Sequence, residues 1–310
     1  MSLMRSVLLA GAESVWLREK AMRRPFVRRS VSRFMPGETV DEALAACRRQ
    51  QEQHGTGTIV THLGENLSSL AEADAVTADY LELIERIAGE KLDVQVSVKL
   101  TQLGLDLGLD ACHRNLQQLV ARAESRSNIV WIDMESTKYV DPTIELFRRA
   151  RERSPRVGLC LQSYLRRSMA DLEALLPLGP AIRLVKGAYR EPANLVFASK
   201  AEVDENYFRL AARMLQPEVP TGTFLGIGTH DARLVERLRS ELAARGTDPS
   251  SYEFEMLYGI QRPLQARLVA ERSPLRVLIS YGEFWFPWYM RRLAERPANV
   301  LFVMKSLFAG

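Results

Sequence analysis

The sequence predicts an α/β protein, a TIM-type (βα)8 barrel behind an N-terminal helical arm. Three observations lead there. From Thr56 onward, short β-rich runs alternate with amphipathic helical stretches, and the runs number eight. Eight such units in about 240 residues fit a closed parallel barrel, whereas a doubly wound sheet leaves the eighth unit surplus. Polar residues crowd the carboxyl ends of the runs, where a barrel collects its reactive groups. The length of 310 residues, with 46% hydrophobic content, suffices for one barrel-sized core.

The first 55 residues carry no strand signal; Val40 to Gln53, after the Pro36-Gly37 turn, is their clearest helix. Residues 1–55 are therefore assigned to the arm and 56–310 to the barrel and its C-terminal helices. The expected strands are Thr58 to Leu63, Val94 to Thr101, Ile129 to Glu135, Val157 to Ser163, Ile182 to Gly187, Thr223 to Thr229, Tyr252 to Leu257 and Arg276 to Tyr281. Between them, apolar residues recur at helical spacing over Leu67 to Ala88, Ala111 to Ala123, Pro142 to Arg151, Leu165 to Leu175, Ala201 to Leu215, Ala232 to Ala244 and Leu264 to Glu271. Trp285 to Arg296 is expected to be the last barrel helix, broken by Pro297, with a short terminal helix over Asn299 to Phe308.

Composition narrows the function classes. The net charge of +4 and pI near 9.0 are mild, although Arg23, Arg24, Arg28, Arg29 and Arg33 cluster in the arm. Such a cluster suits an anionic membrane surface or nucleic acid, but a solvated helix face is the plainer expectation. Cys47, Cys112 and Cys160 are too scattered for a disulfide framework, and no Cys-x-x-Cys or His-Glu-x-x-His spacing offers a metal site. The apolar run Val7 to Ala12 is short for a signal-peptide core, and no apolar stretch is long enough to span a membrane. The chain reads as intracellular and metal-free.

The strand ends carry the chemistry. In Val94-Gln-Val-Ser-Val-Lys-Leu-Thr the valines face the outer helices and Gln95, Ser97 and Lys99 face inward. A buried ammonium is costly alone, so Lys99 should meet a carboxylate, and Asp133 on the next strand is its natural neighbour. A structural ion pair at the rim explains that pairing equally well. Gln162 and Ser163, Arg183 and Lys186, then Thr229 and His230 bring donors to the same rim. Gly187 and Gly228 allow close backbone approach. Thr229 and His230, preceding a helix, suit a phosphate, although a lone histidine is more often structural.

No Gly-x-Gly-x-x-Gly follows a strand, and neither a P-loop nor a Gly-x-Ser-x-Gly elbow occurs. Arg291 and Arg292 lie in the aromatic stretch Tyr281 to Pro297. Guanidinium forks match carboxylates, so the pair suits a pocket for a small acid, unless it simply stacks on aromatic faces.

Seven segments in order, Ser97-Val-Lys-Leu-Thr-Gln-Leu-Gly104, Ile132-Asp-Met-Glu135, Leu161-Gln-Ser-Tyr-Leu-Arg-Arg167, Arg183-Leu-Val-Lys-Gly-Ala-Tyr189, Gly228-Thr-His-Asp231, Glu253-Phe-Glu-Met-Leu-Tyr-Gly259 and Arg291-Arg-Leu-Ala-Glu-Arg-Pro297, resemble the flavin-dependent proline dehydrogenases in their monofunctional bacterial form. The resemblance spans essentially the whole chain. It implies a distorted (βα)8 barrel holding FAD, which oxidises L-proline to Δ1-pyrroline-5-carboxylate and passes electrons to a membrane quinone. That places the protein in the cytoplasm, with peripheral contact at the inner face of the membrane, and implies no nucleic acid partner. Arg291, Arg292 and Lys99 would grip the substrate carboxylate, supported by Asp133. Ala188, Tyr189, Leu257 and Leu278 would shape the ring pocket. Arg183 would lie beside the flavin N5 region and Gln162 at the ring's polar edge. Val185, Lys186, Gly187, Ala188, Thr229 and His230 would line the rest of the cofactor path.

Two departures bear on substrate choice. The family's Tyr-x-Pro-Tyr-Gly run reads Leu278-Ile-Ser-Tyr-Gly282 here, and Glu255 replaces its usual glutamine. A smaller wall at Leu278 implies weaker proline binding or preference for a hydroxylated or bulkier cyclic amino acid. Two other classes stay open at this stage: a barrel aldolase using Lys99 or Lys186 as a Schiff base, and a binding relative without turnover.

Overall fold

The computed structural model describes residues 31–64 and 67–286. Eight parallel strands close into a barrel in sequence order: β1 (Gly57–His62), β2 (Val94–Val98), β3 (Val130–Ile132), β4 (Val157–Gln162), β5 (Ala181–Val185), β6 (Phe224–Gly228), β7 (Tyr252–Leu257) and β8 (Leu275–Tyr281). Pairing of β1 with β8, from Gly57 beside Arg276 to His62 beside Tyr281, closes the ring. The described helices are α1 (Val40–His54), α2 (Leu70–Gly89), α3 (Leu109–Ser125), α4 (Val140–Arg151), α5 (Ser168–Leu175), α6 (Lys200–Met214), α7 (Ala232–Ala244) and α8 (Arg262–Ala270).

Helix α1 begins at a capping box. Thr39 Oγ1 accepts the Glu42 amide at 3.2 Å while Glu42 accepts the Thr39 amide at 3.0 Å. It ends at Gly55, whose left-handed φ of 62° turns the chain into β1. Its small buried face, Ala43, Leu44, Ala46 and Cys47, packs on β8 and β1. The arm's clearest helix thus covers the seam where the barrel closes. Of the expected last barrel helix only Trp285 and Phe286 are described, both buried, with Trp285 Nε1 donating to Glu38 at 3.0 Å. The remainder, the terminal helix and the clustered arm arginines Arg23, Arg24, Arg28 and Arg29 lie outside the described residues.

Two strands, β2 and β3, each stop three residues before their expected ends. β2 stops at Val98 because Leu100–Leu103 wind into a 3-10 turn closed by Gly104 at φ 96°. Glu135 fastens that turn, accepting from the Thr101 amide at 3.2 Å and hydroxyl at 2.7 Å. β3 ends at Ile132, so Asp133 and Glu135 stand in the following loop.

Alternation along the strands separates two cores. Outward valines, leucines and isoleucines pack beneath the helices, while Ile59, Trp131 and Ala181, with Phe224 and Leu278, fill the barrel's interior. Trp131 Nε1 donates to Gln95 at 2.6 Å, and its ring lies where a side chain at Gly158 would stand. Tyr80 of α2 joins the two layers: its hydroxyl donates to the Ser97 carbonyl and accepts the His62 amide, each at 2.9 Å. Tyr80→Phe would leave both backbone groups buried and unmatched. We expect a loss of about 1–3 kcal/mol in urea unfolding; an unchanged midpoint would show that water replaces the hydroxyl.

Candidate active site

At the carboxyl ends of the strands the interior opens into a cavity of 470 Å³, a size suited to a small molecule or part of a cofactor. Arg183 of β5 organises its floor. The guanidinium is 3% exposed and sits 4.6 Å over the Trp131 ring. Its Nε donates to Glu255 of β7. Its Nη1 donates to Asp133 Oδ1 and to Ser97 Oγ, both at 3.0 Å, and Ser97 in turn donates to Asp133 at 2.8 Å. Burial opposes the arginine's charge, but Glu255 and Asp133 outweigh it and raise its pKa above the ordinary value. Burial also pushes the Glu255 carboxyl up, against the pull of Arg183.

Five buried polar atoms on this wall have no partner within the described protein: Arg183 Nη2, Gln162 Oε1, Glu255 Oε1, Thr61 Oγ1 and Ser280 Oγ. Buried donors and acceptors are normally satisfied, and their convergence on one cavity marks a place where something polar binds. Cys160, on the same wall, has its thiol pushed up to about 12 by burial, so it is no thiolate nucleophile at neutral pH.

The far side of the cavity is built by the loop after β5 and the start of α7. Gly187 adopts φ 109° with its α-carbon against the Tyr164 ring, where a side chain would collide. Glu191 latches the loop, accepting from the Thr137 amide at 2.8 Å and from the Thr137 hydroxyl. Lys186 is held between Asp204 and Asp231, which also pair with Lys200. Burial works against the Asp231 charge, yet the two lysines hold its carboxyl well below the usual carboxylate range. Asp231 caps α7 through the Arg233 and Leu234 amides. The helix end is thus already matched by the protein's own carboxylate. Thr229 Oγ1 accepts the Asp231 amide at 3.2 Å, and His230 Nε2 accepts the Leu257 amide at 2.8 Å.

A family model described as proline dehydrogenase matches residues 43–305. The chain belongs to the proline dehydrogenase family. It is 36% identical to "Proline dehydrogenase 2" of Bacillus subtilis subsp. natto over 259 residues, 84% of each chain. It is 36% identical to "Proline dehydrogenase" of Deinococcus radiodurans over 287 residues, 90% of each. The fold resembles that of proline utilization A from Bdellovibrio bacteriovorus, with a TM-score of 0.80 over 94% of this chain at 24% identity. This chain corresponds to 36% of that longer protein.

Among the residues expected to form a proline dehydrogenase site, Lys99, Asp133, Gln162, Arg183, Val185, Lys186, Gly187, Ala188, Tyr189, Thr229, His230, Leu257 and Leu278 all line the cavity. Arg291 and Arg292 lie outside the described residues. One expected pairing is corrected. Asp133 is not the ion-pair partner of Lys99; it is taken by Arg183 and Ser97. The physical reason is reach, because Arg183 crosses the interior to present a rigid fork to both. Sequence reasoning missed Thr61, Cys160 and Ser280, which line the same wall. Each stands two residues from an inward-facing neighbour on its strand, so the period-two rule was signal enough. It placed Glu255 near the rim but did not pair it with Arg183.

Proposed function

We propose that the chain is an FAD-dependent proline dehydrogenase that converts L-proline to Δ1-pyrroline-5-carboxylate and delivers the electrons to a quinone. The observation that carries this reading, given the family, is the set of unpartnered polar atoms around Arg183 and Gln162 on the cavity wall. A donor from Arg183 and an amide oxygen from Gln162 are complementary to the mixed acceptor and donor edge of an isoalloxazine ring. When bound, FAD supplies the acceptor for the hydride that leaves C5 of proline.

The protein's part is orientation. Lys99, with Arg291 and Arg292, grips the amino-acid carboxylate, which fixes the ring's far carbon in one place. Ala188, Tyr189, Leu257 and Leu278 bound the ring and exclude water. Asp133 and Glu255 keep Arg183 charged and aimed, and Val185, Lys186, Gly187, Thr229 and His230 follow the remainder of the cofactor. Thr229 keeps its hydroxyl hydrogen to give, since its oxygen already accepts the Asp231 amide. Family membership removes the ground for a Schiff-base role of Lys99 or Lys186.

No helix among the described residues is long and apolar enough to cross a membrane. A quinone would therefore be met at the membrane surface, with the arm's arginines as the contact, on the cytoplasmic side. Residues 1–55 act here as an arm on a barrel of residues 56–310.

Purified protein should be yellow, and anaerobic L-proline should bleach it, with one product molecule formed per quinone analogue reduced on turnover. Colourless protein, or a spectrum indifferent to proline, would overturn the reading. A second reading rests on Leu278, a non-aromatic, half-buried side chain on the cavity wall: the preferred substrate is a hydroxylated or larger cyclic amino acid. Comparing kcat/KM for L-proline, trans-4-hydroxy-L-proline and pipecolate separates them, and a large preference for proline ends the second.

A further inference from the structure

Glu255 is a buried carboxylate in the barrel interior whose charge is not needed merely to hold Arg183 in place. Its carboxylate is 3% exposed, and such burial is costly unless the charge is well paired and its remaining oxygen is hydrogen-bonded. One oxygen accepts the Arg183 Nε hydrogen, a role a glutamine carbonyl would fill. The other, Oε1, lines the cavity without a partner in the described protein. Space for it is provided by the neighbouring strand: a side chain at Gly226 of β6 would collide with that oxygen and press on the Arg183 backbone. Gly226 therefore leaves room for the second oxygen of Glu255 beside Arg183.

The charges around it sharpen the point. Arg183 faces two carboxylates, Glu255 and Asp133. Ionised, the trio carries a net charge of −1. Below it, Arg276 is already matched by Glu253 and Asp93, at 3.1 and 2.8 Å. Among the described residues, nothing in that layer returns a surplus positive charge to the cavity floor. Lys99 contributes one from the rim, half-buried and farther toward solvent.

We propose that Glu255 is a positioning residue that sets the redox potential of the bound flavin. It fixes Arg183 through Nε, so that Nη2 is presented to the cavity, and it cancels the guanidinium's positive field there. This rests on the reading that the cavity holds FAD. A two-electron-reduced flavin bears a negative charge, which Arg183 favours and Glu255 disfavours. The carboxylate therefore keeps the cofactor readier to pass electrons on to the quinone than an uncompensated arginine would.

The test is the midpoint potential of the bound flavin in the purified holoenzyme. Glu255→Gln keeps the shape and the Nε contact and removes the charge. At an effective protein dielectric, one charge at this range shifts the equilibrium toward reduced flavin by about tenfold, which is ~30 mV upward for a two-electron couple. Glu255→Asp, retaining the charge on a shorter arm, should stay much closer to the parent potential. An unmoved potential in flavin-replete Glu255→Gln overturns the proposal, even if the variant is less stable, because a purely structural role would alter melting and not potential. Wild-type protein purified without flavin overturns the FAD reading and this inference together. If Glu255→Gln does not fold, the wild type supplies a second measurement. Its reduced-minus-oxidised infrared difference spectrum should contain a glutamate carboxylate band that shifts on ¹³C-glutamate labelling and is lost in Glu255→Asp, and absence of that band also overturns the proposal.

Discussion

Arg183→Met should cost the folded protein about 3–5 kcal/mol and abolish proline oxidation. The stability figure follows from what the side chain leaves behind. Glu255 is 3% exposed and loses its guanidinium partner, while Asp133, 24% exposed, keeps among the described residues only the Ser97 hydroxyl. Removing one member of a buried ion pair strands the other, which is far more damaging than removing both. The double variant Arg183→Met, Glu255→Met should accordingly recover most of the loss while remaining inactive. Lysine at 183 should not rescue, because one ammonium cannot reproduce contacts made by Nε and Nη1 to three separate groups. Urea midpoints of the two single methionine variants and of the double read this directly. If Arg183→Met loses less than about 1 kcal/mol, either water enters to solvate Glu255 or the carboxylate takes up a proton, and the buried pair is not the organising contact described above.

The same contact shows where sequence reading stops. Gln95, Ser97 and Lys99 are legible as one inward face because strand alternation is a local property, two residues in period, and Trp131 and Asp133 continue the pattern on the next strand. Arg183 and Glu255 are 72 residues apart; β5 and β7 each pair with β6, and the two side chains meet over Gly226 of that strand, which has no side chain to keep them apart. Nothing local distinguishes Asp133 as a partner for Arg183 rather than Lys99; Lys99 follows the end of β2, Arg183 lies within β5, and the choice depends on which reaches across. The end of β2 was misjudged for another reason. Leu100 to Leu103 is buried, as a strand end would be, but Gly104 in a left-handed conformation lets it curl. The helix Val40–His54 was legible as a helix, whereas its place over the β8–β1 seam was not. An amphipathic pattern says that a face is buried and not against what.

Lys99→Met should raise KM for proline roughly 10- to 150-fold while leaving flavin content unchanged, the loss expected for one charge-assisted hydrogen bond of about 1.5–3 kcal/mol. Lys99 lines the cavity at the end of β2, half-buried. Among the described residues it forms no ion pair with a protein carboxylate, whereas Lys186 at the opposite side is held by two. An ammonium kept in a cavity wall without a protein counter-charge suits an anion that arrives with the substrate. Its field is also felt by His62, whose imidazole is held below its ordinary pKa by burial and, against the opposing pull of Asp79, by Lys99. In Lys99→Met the His62 resonance should titrate at higher pH, which confirms independently that a positive charge has been removed from this wall. The decisive comparison is pyrrolidine, the same ring without the carboxylate. If Lys99 acts on that group, the variant should lose most of its preference for proline over pyrrolidine while the slow pyrrolidine reaction is little changed. Equal losses on both would mean that the methionine has disturbed the ring or the cofactor, and the carboxylate would have to be held by other cations alone.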